Sequence, residues 1–151
     1  MSDESRRAEP IAGIHDLVAL HLPARPLGPG ADRRTALSYS DHLLRRFGQA
    51  DIVHLEAGGR LERREEPTAD EVWVLIDGNA AFEWEDRRSS SPTFGGRASL
   101  AAQEPITVLV PFGVIFHVTA QNGAAVLLRL STHADDEERL PKPFREEPLP
   151  Q

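Results

Sequence analysis

The run Glu71-Val-Trp-Val-Leu-Ile-Asp-Gly78 places Glu71, Trp73, Leu75 and Asp77 on one face and Val72, Val74 and Ile76 on the other. A period of two in a stretch this rich in β-branched and aromatic residues reads as a strand. Asp77-Gly78-Asn79 follows with residues that tolerate positive φ. Ala80–Glu85 then resumes the alternation, with Phe82 and Trp84 set against Ala81, Glu83 and Glu85, so the pattern predicts a hairpin. Downstream, Ile106–Val110, a Pro111-Phe112-Gly113 turn and Val114–Ala120 predict a second hairpin, with His117 on the face of Ile115 and Thr119.

A chain of 151 residues fits one domain large enough to bury a sheet-on-sheet core. Its 12 Pro and 11 Gly, spread between short apolar runs, favour an all-β barrel or sandwich over a helical bundle. A net charge of −7, with arginine pairs scattered along the chain, argues against nucleic acid as partner, because phosphate binding needs a clustered basic surface. The absence of cysteine excludes disulfides and thiol catalysis. The charged start, Met1 to Arg7, has no apolar run behind it, and no apolar run approaches the roughly 20 residues that cross a bilayer. The expectation is a cytoplasmic protein with no membrane partner.

The remaining segments divide the chain into a polar tail at 1–10, a barrel domain at 11–133 and an acidic, proline-rich tail at 134–151. Ile14–Leu22 is expected as an edge strand ending at Pro23, and Pro26–Arg34 as a loop. Ala36–Phe47 reads equally as a short helix capped by Ser40-Asp41 or as strand, turn, strand. Asp51–Glu56 is a strand with Ile52 and His54 on one face and Val53 and Leu55 on the other. Arg60–Glu66 is a charged strand broken only by Leu61. Arg87–Arg97, rich in Ser and Gly, is expected as a mobile loop. Ser99–Ala102 and Ala124–Ser131 complete the strands, the latter carrying Arg129 as its one charge.

Several of these residues resemble the cupins, small β-barrels whose first motif is Gly, a His-x-His pair, then Glu, six residues and Gly. Glu71, six residues and Gly78 match the second half of that motif. The second motif runs Pro-x-Gly, two residues, then His. Here three residues separate Gly113 of Pro111-Phe112-Gly113 from His117. With Gly59 as the leading glycine, the two histidine positions of motif one hold Glu65 and Pro67. The resemblance covers Asp51 to Ser131 and implies a single cupin-type β-barrel or jelly roll. It looks closest to the dTDP-4-keto-sugar epimerases and 3,4-ketoisomerases, which are metal-independent and usually dimers. What it implies is therefore a sugar-like small-molecule ligand, no cofactor and a homodimer.

The chemistry this suggests centres on His117 and Glu71 as catalytic candidates. An imidazole titrates near neutral pH and suits proton transfer beside a sugar carbonyl, although a lone histidine is as readily a hydrogen-bonded core group. Glu71 on the Trp73 face needs a cation or a ligand hydroxyl if that face is interior; a bond to Arg60 or Arg64 is its plain structural role. Trp73, Phe82 and Trp84 would make an aromatic wall for a sugar, with Arg60, Arg129 and His54 as polar contacts. Three functions are open: a keto-sugar isomerase or epimerase using His117 or Glu71, a non-catalytic ligand-binding cupin, and a metal-dependent cupin using Glu65, Glu71 and His117. Metal-free is the expected state, since each missing ligand would have to come from elsewhere.

Overall fold

The computed structural model describes residues 7–38, 41–44, 46–63 and 70–134. Among them the regular structure is strand: β1 (Ala8–Pro10), β2 (Val18–His21), β3 (Arg25–Gly28), β4 (Ala31–Arg33), β5 (Gln49–Leu55), β6 (Arg60–Arg63), β7 (Glu71–Asp86), β8 (Arg97–Ala102), β9 (Ile106–Val110) and β10 (Val114–Ser131). Two strands, β7 and β10, are long enough to belong to both layers of the barrel. One layer runs β1-β2-β9-β7-β10-β5, using the first half of β7 and the second half of β10. In the other, the remaining halves pair with each other and are flanked by β8 and β6.

The corner where both long strands change layer is where the sequence pattern predicts a hairpin. Gly78 takes φ +88°, and a Cβ there would overlap the Ala124 carbonyl oxygen. Opposite it, the register jumps from Gln121 to Val126, with Asn122 and Gly123 also at positive φ. Residues that tolerate positive φ serve equally well in a tight turn and in a bulge that bends a strand between layers. Asp77-Gly78-Asn79 is the bulge, so the first predicted hairpin is one continuous strand. The second is also absent: β9 pairs with β2 and β7, and Pro111-Phe112-Gly113 carries the chain across from β9 to β10 without pairing them. Ala124–Ser131 is the second half of β10 rather than a strand of its own.

Between the layers lies a core of Trp73, Leu75, Phe82, Trp84, Val108, Val110, Phe116, Val118 and Leu127. The outer face of the first layer is apolar as well. Leu20, Leu22, Val72 and Val74 pack there beneath Ala36, Leu43 and Leu44. Cover on both sides is why β7 begins with an uninterrupted apolar run. Where Ala36–Phe47 is described it contains no strand, and Asp41 stands in a 3₁₀ turn. The segment is a cover held by Asp41, whose carboxylate accepts from the Ser38 amide at 2.8 Å and whose own amide donates to Ser38 O at 2.9 Å.

Smaller differences follow the same logic of edges and cover. Ile14–Leu22 contributes β2, which is no edge because β1 pairs with it through Ala8↔Leu20 and Pro10↔Val18. Ala8–Pro10, expected in the amino-terminal tail, is thus a strand of the sheet. Pro26–Arg34, expected as a loop, is the β3–β4 ribbon. The segment after β7, expected as mobile, is fastened by Asp86, which is wholly buried. Its carboxylate accepts from Arg88 Nε and Nη2 at 2.9 and 3.0 Å, from Ser91 Oγ at 2.6 Å and from Thr93 Oγ1 at 2.7 Å. Arg88 Nη2 also donates to His15 O, and His15 N donates to Thr93 Oγ1, which ties this segment to the chain before β2. The tail 134–151 lies outside the described residues apart from Ala134, as does the start of the amino-terminal tail.

Candidate functional site

His117 lies on the outer face of the second layer. The motif resemblance places the barrel-lining residue three positions after Gly113, with two residues between; the third intervening residue moves His117 one step along a strand of period two, which reverses its face. Phe116 takes the inward position instead. It is 4% exposed, and its ring meets Trp73 edge-on with centroids 5.2 Å apart. His117 and Glu71 are therefore on opposite sides of the barrel wall, and the geometry does not bring these two candidates together.

Around His117 the strand register builds a polar surface. One row reads Ser99, Glu83, His117, Glu62 across β8, β7, β10 and β6, and its neighbour reads Arg97, Glu85, Ile115. These side chains, with Ala12 on one side and a floor over Trp84, Phe116 and Ala98, line a groove of about 760 Å³. Acidic and cationic groups alternate in it. His117 Nε2 is 3.4 Å from Glu83 Oε1, Arg97 Nη2 is 3.6 Å from Glu85 Oε1, and Arg60 at the rim reaches Glu62 at 2.9 Å. His117 is 28% exposed and Glu83 64%, so this pair contributes little to folding. It is available to something in the groove.

Glu71 sits inside, wholly buried, at one end of the barrel. Its Oε1 accepts from Trp73 Nε1 at 2.9 Å, and its Oε2 accepts from Arg129 Nε at 3.1 Å and Nη2 at 2.7 Å. Arg129 Nη1 donates to Asp51 at 2.8 Å. Arg129 is thus a partner of Glu71 that the sequence did not suggest; of the two arginines expected there, Arg60 reaches Glu62 and Arg64 lies outside the described residues. Arg129 is held inward by registry with Trp73 on β7 and Asp51 on β5.

The aromatic wall does not form. Trp73, Phe82 and Trp84 are 1–2% exposed, and Phe82 and Trp84 stack at 5.4 Å within the core. Trp84 reaches the groove only as part of its floor, and its Nε1 has no hydrogen-bond partner among the described residues. His54 points outward on β5 and is exposed, away from both the groove and the Glu71 cluster. Of the candidates that the sequence singles out, then, His117 lines the groove and Arg60 stands at its rim, while Glu71, Trp73 and Arg129 meet inside. Glu65 and Pro67 lie outside the described residues.

Glu62, Glu83, Glu85, Arg97 and Ser99 were not anticipated. The alternation of Glu83 and Glu85 against Phe82 and Trp84 already directs both carboxylates outward once the aromatics are core. The pairing that sets Glu83 beside His117 requires the register of β7 with β10, which a bulged corner conceals.

The metal that a cupin resemblance suggests can be tested against these groups. The motif-two position is a phenylalanine, His117 faces out, and Glu71 is already engaged by a guanidinium and an indole N–H. Among the described residues no group of three or more His, Asp or Glu converges in a way that could hold a metal ion. These residues do not fit one.

Two facing layers that share bent long strands, with a Pro-x-Gly crossing into the last of them, define a cupin-type jelly roll. Solved structures of that architecture superpose on the chain. A dTDP sugar isomerase from Desulfovibrio desulfuricans G20 has a TM-score of 0.71 at 18% identity, covering 89% of this chain and 91% of that one. A dTDP-6-deoxy-D-glucose-3,5-epimerase from Legionella pneumophila Philadelphia 1, in complex with dTDP-4-keto-L-rhamnose, gives 0.75 at 16% identity, with 87% and 74% covered. A 4-keto-6-deoxy sugar epimerase from the novobiocin gene cluster of Streptomyces spheroides gives 0.73 at 18%, with 87% and 70% covered. At these identities the likeness is one of fold. No protein-family model matches the sequence. No curated protein matches it either. Among the described residues no helix is long and apolar enough to cross a membrane.

Proposed function

We propose that this protein is a metal-independent, carbohydrate-binding cupin that takes its ligand in the outer groove at His117. The observation that carries the reading is the groove itself: about 760 Å³, lined by alternating hydrogen-bond donors and acceptors. Sugar hydroxyls both donate and accept, so a surface where Glu83, His117, Ser99, Glu85 and Arg97 stand side by side suits a polyhydroxylated ligand. Arg97 gives such a site one cation for a phosphate-bearing sugar. Sugar-acting structural neighbours support the ligand class.

Titration calorimetry with a dTDP-linked hexose and with the free hexose tests this. Binding is expected for wild type, weakened about tenfold or more by His117→Ala, which corresponds to about 1.4 kcal/mol. Glu71 and Arg129, locked together inside, should not respond to ligand. No binding of either probe, or binding indifferent to His117, would remove the groove as the site.

One contact favours turnover as a second reading. Glu83 at 3.4 Å from His117 Nε2 can hold an imidazolium, which makes His117 the base for a proton α to a ketone. Exchange of substrate hydrogen for deuterium from heavy water, catalysed by wild type and lost in His117→Ala, is the expected result for a keto-sugar isomerase or epimerase. A homodimer fits the exposed apolar residues Phe47, Ile52 and Ile76, and light scattering at micromolar concentration reads it directly.

A further inference from the structure

We infer that the Arg129 guanidinium is the built-in cation of this barrel, filling the place beside Glu71 where a metal-bearing barrel of this type would hold its ion. A carboxylate with no exposed surface needs a cation, a set of donors or a proton to remain inside. Glu71 has the first two. Arg129 closes on Oε2 with two nitrogens at 3.1 and 2.7 Å, and the Trp73 indole closes on Oε1 at 2.9 Å. The third Arg129 nitrogen reaches out to Asp51, so one planar fork bridges a buried and a half-buried carboxylate.

The placement is set by the sheet and not by a loop. Arg129 stands in register with Trp73 on one side and with Asp51 on the other, inside a three-strand ladder. The group that would complete a metal's ligand set from β10 is Phe116, whose ring packs edge-on against the same Trp73. A divalent ion would therefore meet a fixed positive charge and an aromatic edge, with its anchoring carboxylate already bonded on both oxygens. Nothing in this interior arrangement depends on what the outer groove binds.

Metal uptake and chemical rescue test it. Wild-type protein dialysed against millimolar Mn²⁺, Fe²⁺ or Zn²⁺ and desalted is expected to keep no stoichiometric metal and to show no rise in Tm. Arg129→Ala is expected to unfold at lower temperature and to regain part of the loss in millimolar ethylguanidinium, with tetramethylammonium giving none. The double variant Arg129→Ala with Glu71→Gln should show no rescue. If Arg129→Ala does not fold, Arg129→Lys, which keeps the charge but not the fork, serves in its place and is expected to melt below wild type and still take up no metal. One metal per wild-type chain, lost in Glu71→Gln, would overturn the inference, as would an Arg129→Lys protein as stable as wild type.

Discussion

Replacing Asp86 by alanine should be among the most damaging single changes in the chain. The carboxylate and its Arg88 partner are 0% and 10% exposed, so the pair belongs with buried ion pairs and not with surface ones. Removing one partner of a buried pair costs about 3–5 kcal/mol, because the other charge stays behind without compensation. Exposed pairs are worth about 0–1 kcal/mol. In a domain of this size that loss lowers Tm by roughly 6–20 °C, at about 2–4 °C per kcal/mol. The pH dependence has a definite sign. Burial, the largest single influence, opposes ionisation of Asp86, but the hydrogen bonds from Arg88, Ser91 and Thr93 together outweigh it and hold the carboxyl well below the ordinary carboxylate range. The ordinary value is 3.8, so below about pH 4 the unfolded chain takes up a proton that the folded chain refuses. The stabilisation is complete above that range and drains away as pH falls toward the depressed folded value. Urea unfolding of wild type and Asp86→Ala at pH 7, 4 and 2.5 is the assay: the gap should be full at pH 7 and narrow on acidification. A gap under about 1 kcal/mol at pH 7, or one that stays constant to pH 2.5, would show that Asp86 does not act as a buried ion-pair partner.

Other expectations test different parts of the structure. Phe116→Ala, which empties a buried ring site against Trp73, should cost about 3–5 kcal/mol in urea unfolding. Gly78→Ala forces an alanine into φ +88° against the Ala124 carbonyl, and at least about 1–2 kcal/mol of backbone strain should appear as a lower Tm. Glu83→Gln should weaken ligand binding in calorimetry while leaving Tm almost unchanged, because the His117 contact is exposed.

The strands were largely legible from alternation, and the reason is local. Phe82 and Trp84 on β7 and Val53 and Leu55 on β5 carry their burial pattern in a period of two, whereas Val72 to Leu75 on β7 and most of Ile106 to Val110 on β9 are buried on both faces and stand out as short apolar runs. Connectivity was not legible at Gly78. A glycine flanked by Asp and Asn meets the backbone needs of a hairpin turn and of a layer-changing bulge alike, and only the distant Gln121–Val126 jump in register decides between them. The inserted residue before His117 was visible in the sequence, and its consequence follows from strand geometry: one step reverses the face. That reversal separates His117 from Glu71 and leaves Phe116 inside. The partner of Glu71 was hidden for another reason. Arg129 lies 58 residues away in the chain, and cross-strand registry alone brings it there. Asp86 was hidden likewise, since a Ser- and Gly-rich segment reads as mobile until a buried carboxylate is seen to collect its hydroxyls.

If ligand meets this barrel from outside, at His117, while Glu71 and Arg129 keep the interior closed, the two regions should respond differently to a sugar probe. Amide chemical-shift mapping of ¹⁵N-labelled protein during titration with a dTDP-linked hexose reads both at once. Shifts are expected to be confined to Glu83–Glu85, Arg97–Ser99 and Ile115–His117, with the Trp73 indole N–H unmoved. Shifts centred on the Trp73 indole, Glu71, Asp51 and Arg129, with the groove silent, would place the ligand inside and contradict an outer site.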